Sequence, residues 1–90
     1  MSGTGRRFLV ERYVSGITED QVVSGADRLR EATDQMSREG VDIHHLGSTF
    51  VPSEGTVFSL FQGPSQESVE EANRRAAYPF HRIVEAIHVE

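Results

Sequence analysis

Val41–Gly63, VDIHHLGSTFVPSEGTVFSLFQG, is the stretch on which the fold turns. Two runs rich in β-branched and aromatic side chains, residues 41–51 and 56–62, flank Pro52-Ser53-Glu54-Gly55, whose proline and glycine are turn formers. The stretch reads as a β-hairpin with helical signals on both sides. Upstream, Thr18-Glu19-Asp20-Gln21 has the spacing of a capping box, in which the threonine oxygen accepts an orphan backbone N–H and Gln21 reaches back to the cap. Val22, Ala26, Leu29, Thr33 and Met36 then recur at three- and four-residue steps, and Gly40 supplies a left-handed residue after the last turn. The pattern predicts a helix over 19–38. Downstream, Gly63-Pro64-Ser65 stops the second run and caps a short helix with Val69, Ala72 and Ala76 on its apolar side. Its glutamates, Glu67, Glu70 and Glu71, lie toward its start and Arg74 and Arg75 toward its end, as the helix dipole favours. Pro79 ends it.

Outward from these helices, RFLVERYV at 7–14 and HRIVEAIHV at 81–89 read as the first and last strands. Residues 1–6 are expected to form a flexible tail and residues 7–90 a single domain; a chain of 90 residues has room for one modest core. The element order is βαββαβ. Right-handed crossovers in two interlocked βαβ units give an antiparallel sheet of order 4-1-3-2 with both helices on one face, an α+β domain of the ferredoxin-like kind.

Composition narrows the partners. With 37% hydrophobic and 26% charged residues the chain is ordinary globular material, and a formal charge of -5 works against phosphate backbones, so no nucleic acid is expected as a partner. The absence of cysteine excludes disulfides, thiolate zinc sites and cysteine nucleophiles. No apolar run approaches the roughly eighteen residues of a membrane span, and Met1 to Arg7 lack a signal peptide's hydrophobic stretch, so a cytoplasmic protein without a membrane partner is expected. Phosphate loops, dinucleotide glycine patterns, zinc-protease helices and serine elbows are missing, and Ser59 and Ser65 have structural uses as a strand residue and a helix cap.

Alternation divides the strands between two faces. Phe8, Val10, Phe58, Leu60, Val84 and Ala86 are assigned to the side under the helices. Leu9, Glu11, Tyr13, Val57, Ser59, Phe61, Ile83, Glu85 and Ile87 are assigned to the open side. Leaving the large apolar members of that open side in water would forgo on the order of 10 kcal/mol. A second copy of the chain is the expected cover, producing a homodimeric α+β barrel with a small-molecule or metal ligand between its sheets. Glu11 and Glu85 would then sit on adjacent strands in an apolar cavity, each raising the other's pKa and available to share a proton, a metal or a cation, with Tyr13 and His81 as donors or ligands. The competing structural reading pairs these carboxylates with Arg7, Arg12 or Arg82. As an enzyme, the alternative reading, the protein would be an isomerase, cyclase or cofactor-independent oxygenase using Glu11 or Glu85 as base and His81 or Tyr13 as acid.

Geometry argues against a histidine pincer. His44 and His45 are neighbours on a strand and face opposite ways unless a bulge near Gly47 intervenes; His81 and His88 are also of opposite parity.

The stretches Phe8-Leu9-Val10-Glu11-Arg12, Leu60-Phe61-Gln62-Gly63-Pro64-Ser65 and Asn73-Arg74-Arg75-Ala76, with Pro79 and Arg82-Ile83-Val84-Glu85, resemble a family of small bacterial domains that includes a nickel-binding, nickel-responsive protein. The resemblance runs from about Arg7 to Val89 and implies a ferredoxin-like fold, dimerisation and a divalent metal such as nickel. It also implies metal-binding histidines just after the first strand and on the second helix, where this chain has Arg12–Val14 and Asn73 instead. Metal ligands here are therefore expected among His44, His45, His81, Glu11 and Glu85.

Overall fold

The computed structural model of the chain describes residues 5–90. Its elements run β1 (Arg6–Tyr13), α1 (Glu19–Arg38), β2 (His44–Val51), a 3-10 turn (Pro52–Glu54), β3 (Thr56–Gly63), α2 (Gln66–Arg75) and β4 (Arg82–Ala86). All pairings are antiparallel and the order is β2-β3-β1-β4, the expected ferredoxin-like topology. The expected tail at residues 1–6 lies mostly outside the described residues; its last member, Arg6, already belongs to β1.

Local chemistry sets the helix limits. The Thr18 side chain accepts from the Gln21 N–H at 3.2 Å while Gln21 Oε1 accepts from the Thr18 N–H at 2.9 Å, so two orphan donors are satisfied. At the other end Gly40, with φ 100°, allows Val41 N–H to return to the Met36 carbonyl. The Ser65 hydroxyl caps α2 by accepting from Ser68 N–H at 3.1 Å. Strands 2 and 4 are shorter than expected. Ile43 is already core, and Ile87 and Val89 beyond β4 are 86% and 82% exposed.

Between sheet and helices, Phe8, Val10, Phe61 and Ile83 pack against Leu29, Met36, Val69 and Ala72. Pairing corrects the assignment of faces for two strands. Val10 is opposite Ser59 and Ile83, and Phe8 is opposite Phe61 and Glu85, so Val57, Ser59, Phe61, Ile83 and Glu85 share the helix side with Phe8, Val10 and Arg12. Phe58, Leu60, Val84 and Ala86 lie on the open side with Leu9 and Glu11, reversing the expectation for β3 and β4. Both parities of these strands carry large apolar residues, and a one-residue slip exchanges the faces, so alternation within the strand does not discriminate. A bulge lies between His45 and Gly47, after both histidines, so His44 and His45 keep consecutive register and face opposite ways as expected.

Candidate functional site

Glu11, Tyr13 and Arg82 form a compact group near the end of β1 and the start of β4. Register sets Glu11 directly across from Arg82, and the strand's two-residue period puts Tyr13 beside Glu11. Glu11 Oε1 accepts from the Tyr13 hydroxyl at 2.7 Å, and Oε2 accepts from Arg82 Nε at 3.1 Å and from Nη2 at 2.5 Å. Glu11 is only 6% exposed, although no helix covers this side of the sheet. Its backbone carbonyl also accepts from His81 N–H at 2.8 Å.

Electrostatics follow from these partners. The Arg82 guanidinium, helped by the Tyr13 hydroxyl, holds Glu11 below the usual carboxylate range. Reciprocally, the Glu11 bond raises Tyr13 and Arg82 above their ordinary values. Both carboxylate oxygens are engaged and the group is ionised at neutral pH. That suits recognition of a donor or cation better than proton abstraction.

The expected pairing of Glu11 with Glu85 does not occur. Glu85 belongs to the helix side, half-exposed, where its two oxygens accept from Arg6 Nε at 3.0 Å and Nη2 at 2.9 Å. Arg6 lowers its pKa. The two carboxylates are thus on opposite faces and each is lowered by an arginine, contrary to the mutual raising expected of a shared cavity. Ser59 likewise sits under the helices and not beside Glu11.

The histidines are dispersed. His44 is exposed and its Nε2 is 2.8 Å from Asp42 Oδ1. His45, next in register and still ahead of the bulge, turns to the helix side, its ring edge-on to Phe61 with centroids 5.3 Å apart; burial pushes it down to about 4, so it is neutral at pH 7. His81 precedes β4 and is exposed; its Nδ1 accepts from Tyr13 N–H at 3.2 Å, and its ring meets the Tyr13 ring edge-on. His88 is exposed beyond the sheet. Among the described residues, no three histidine, aspartate or glutamate side chains converge as a metal site.

Arg12 is the polar centre that alternation alone leaves unexplained. It is fully buried, with Nη1 donating to Ser59 Oγ at 2.9 Å, Nε to the Pro79 carbonyl at 3.1 Å and Nη2 to Asn73 Oδ1. Its guanidinium lies 3.7 Å from the centre of the Tyr78 ring. The chain continues from Ser59 Oγ to Ser48 Oγ at 2.8 Å and on to His45 Nε2 at 3.1 Å. Burial lowers Arg12 to about 10, leaving it charged at neutral pH. The sequence signal was present: Arg12 shares the parity of Phe8 and Val10, and Asn73 falls four residues after Val69 on α2.

A four-stranded antiparallel sheet with two helices on one side defines a small ferredoxin-like α+β domain. The chain belongs to a family described as nickel responsive protein SCO4226-like, whose model matches residues 8–86. The crystal structure of SCO4226 from Streptomyces coelicolor A3(2) has 25% sequence identity to it and a TM-score of 0.74, covering 93% of this chain and 99% of that one. No curated protein matches the chain. Among the described residues, no helix is long and apolar enough to cross a membrane.

Proposed function

We propose that this protein is a homodimeric binding protein that closes over the open side of its sheet and holds a small ligand between the two copies. The observation that carries this reading is a patch of half-buried apolar side chains, Leu9, Phe58, Leu60, Val84 and Ala86, with the ionised Glu11 group at its end. An apolar surface with one fixed polar wall is the usual composition of a ligand cavity once it is covered. A second copy supplies a self-complementary cover. Glu11, Tyr13 and Arg82 are proposed as the polar contacts. Divalent metal binding, which the family description suggests for its relatives, is proposed only for this two-chain cavity, because among the described residues the donors of one chain do not converge.

The dimer is tested by light scattering at micromolar concentration. Twice the 10.0 kDa chain mass is expected, and a monomer overturns the reading. Calorimetric titration of tag-free protein with nickel and zinc then tests the metal. Saturable heat that disappears in a Leu60→Arg variant supports a shared site, and no heat removes the metal while leaving the dimer.

A further inference from the structure

The open side of the sheet is not flat. Around the bulge of β2 lies a hollow of about 310 Å³, walled by Leu9, Leu46, Phe58 and Leu60 with Gly47 among them. Gly47 has a φ of 148°, a conformation suited to glycine, and a Cβ built on it would meet no atom within 4 Å. Leu46, the bulge residue beside it, is 43% exposed. At the other edge of the sheet, Val84 and Ala86 of β4 form a half-buried apolar border on the same open side, and the segment beyond the strand exposes Ile87 and Val89.

Strand pairing puts the hollow and this border at the same height along the strands. Gly47 is opposite Leu60, Leu60 opposite Leu9, and Leu9 opposite Val84; His44, Gln62, Arg7 and Ala86 form the next row. Within one chain β2 and β4 are the two outer strands, three spacings or roughly 14 Å apart, so the border cannot fill its own hollow.

The homodimer proposed above, on which this inference rests, needs a twofold axis between its two sheets, and that axis can run along the strands or across them. A closed rotation involves no shift along its own axis. With the axis along the strands, each row therefore keeps its height while the edges exchange, and β4 of one copy lies over β2 of the other. Val84 then stands over the Gly47 hollow and Leu46. Because β4 and β2 run in opposite directions, the residues that follow Ala86 come alongside those that precede His44, and the exposed His88 meets the exposed Asp42, an N–H donor against a carboxylate. With the axis across the strands, β2 falls on β2 and β4 on β4. Hollow then faces the hollowed edge, and the gap goes unfilled where a close-packed interface would fill it.

We infer that the twofold axis runs along the strands and that the bulge hollow of each copy receives Val84 of the other. Both Glu11–Tyr13–Arg82 groups then stand at the same end of the closed face, so a ligand held there meets two of them.

The test is a charge exchange in the full-length protein, followed by light scattering and sedimentation over a concentration series. Leu46→Glu and Val84→Lys are each expected to raise the dimer Kd by at least about tenfold, because each sets a charge against an apolar partner twice per dimer. Leu46→Glu combined with Val84→Lys in one chain is expected to recover most of that loss, since every glutamate then faces a lysine of the other copy. In the unaltered protein, mixed in equal amounts from isotope-labelled and unlabelled material, filtered NOEs are expected between Val84 of one copy and Leu46 of the other. Single variants that dimerise normally, a double variant no tighter than the weaker single, or filtered NOEs from Val84 to Val84 overturn the inference and leave the dimer standing. An unaltered protein that is monomeric at micromolar concentration overturns the dimer reading itself, and the axis with it.

Discussion

The two sides of the sheet each hide one charged side chain of β1, and they accommodate it differently. Beneath the helices, Arg12 is fully enclosed and surrounded by neutral acceptors: two side-chain oxygens, a carbonyl and the face of a phenol. On the open side, Glu11 is nearly enclosed but faces an arginine whose side chain is 62% exposed. The covered charge depends on fixed dipoles that must all be in place; the uncovered one depends on a flexible counter-charge at the surface. Removing a participant should therefore be severe on the first side and mild on the second.

The largest effect is expected for Arg12→Ala. It leaves a cavity and strands Asn73 Oδ1 and the Pro79 carbonyl, and should lower stability by about 3–5 kcal/mol, read as a fall in the urea midpoint. A change below about 1 kcal/mol would abolish the distinction between the two sides. Gly25→Ala follows. A Cβ there would lie 2.5 Å from the Tyr78 ring, and overpacking of that kind should cost about 1–3 kcal/mol by the same measurement.

Two further substitutions separate the sides by pH. His45, on the helix side, has a folded pKa of about 4 against an ordinary value of 6.5. Between those values the unfolded chain binds the extra proton, so stability should decline as pH falls through that window. His45→Asn should flatten this part of the stability profile. Glu11, whose folded pKa is depressed, contributes stability that is present above its ordinary value of 4.5 and is lost as pH falls toward the lower folded pKa. Glu11→Gln should therefore alter only the more acidic limb and shift the neutral-pH urea midpoint less than Gly25→Ala. The smallest effect is expected for Glu85→Gln at the exposed Arg6 pair, with no resolvable shift in the midpoint at neutral pH.

Element order was legible because punctuation residues act locally. Thr18 with Gln21, Gly40, the Pro52–Gly55 turn and Ser65 each satisfy backbone groups within a few residues of themselves, and all appear where the sequence suggests. The faces of β3 and β4 were not legible, because Val57 and Phe61 compete with Phe58 and Leu60, and Ile83 with Val84, for the core; register against β1 decides, and register is a long-range property. The candidate site suffered accordingly. Glu11, Tyr13 and Arg82 were recognisable as possible partners from β1 parity and the competing ion-pair reading, whereas Glu85 was assigned to the wrong side together with its strand. Arg12 was read as a possible counter-ion for the carboxylates, and its actual role was missed for a different reason. Its parity was correct, but a guanidinium under a helix layer is rare enough that only its companions Asn73, Ser59 and Tyr78, scattered over three elements, explain its presence.

The bulge between His45 and Gly47 has a consequence for how copies of the chain can meet. It interrupts the outer rim of the sheet on β2, while the opposite rim, β4, offers just five residues. Neither border presents a long, flat row of free backbone groups, so strand-by-strand growth into fibres is discouraged at both ends. The proposed pairing through the open face, by contrast, would close on itself and stop.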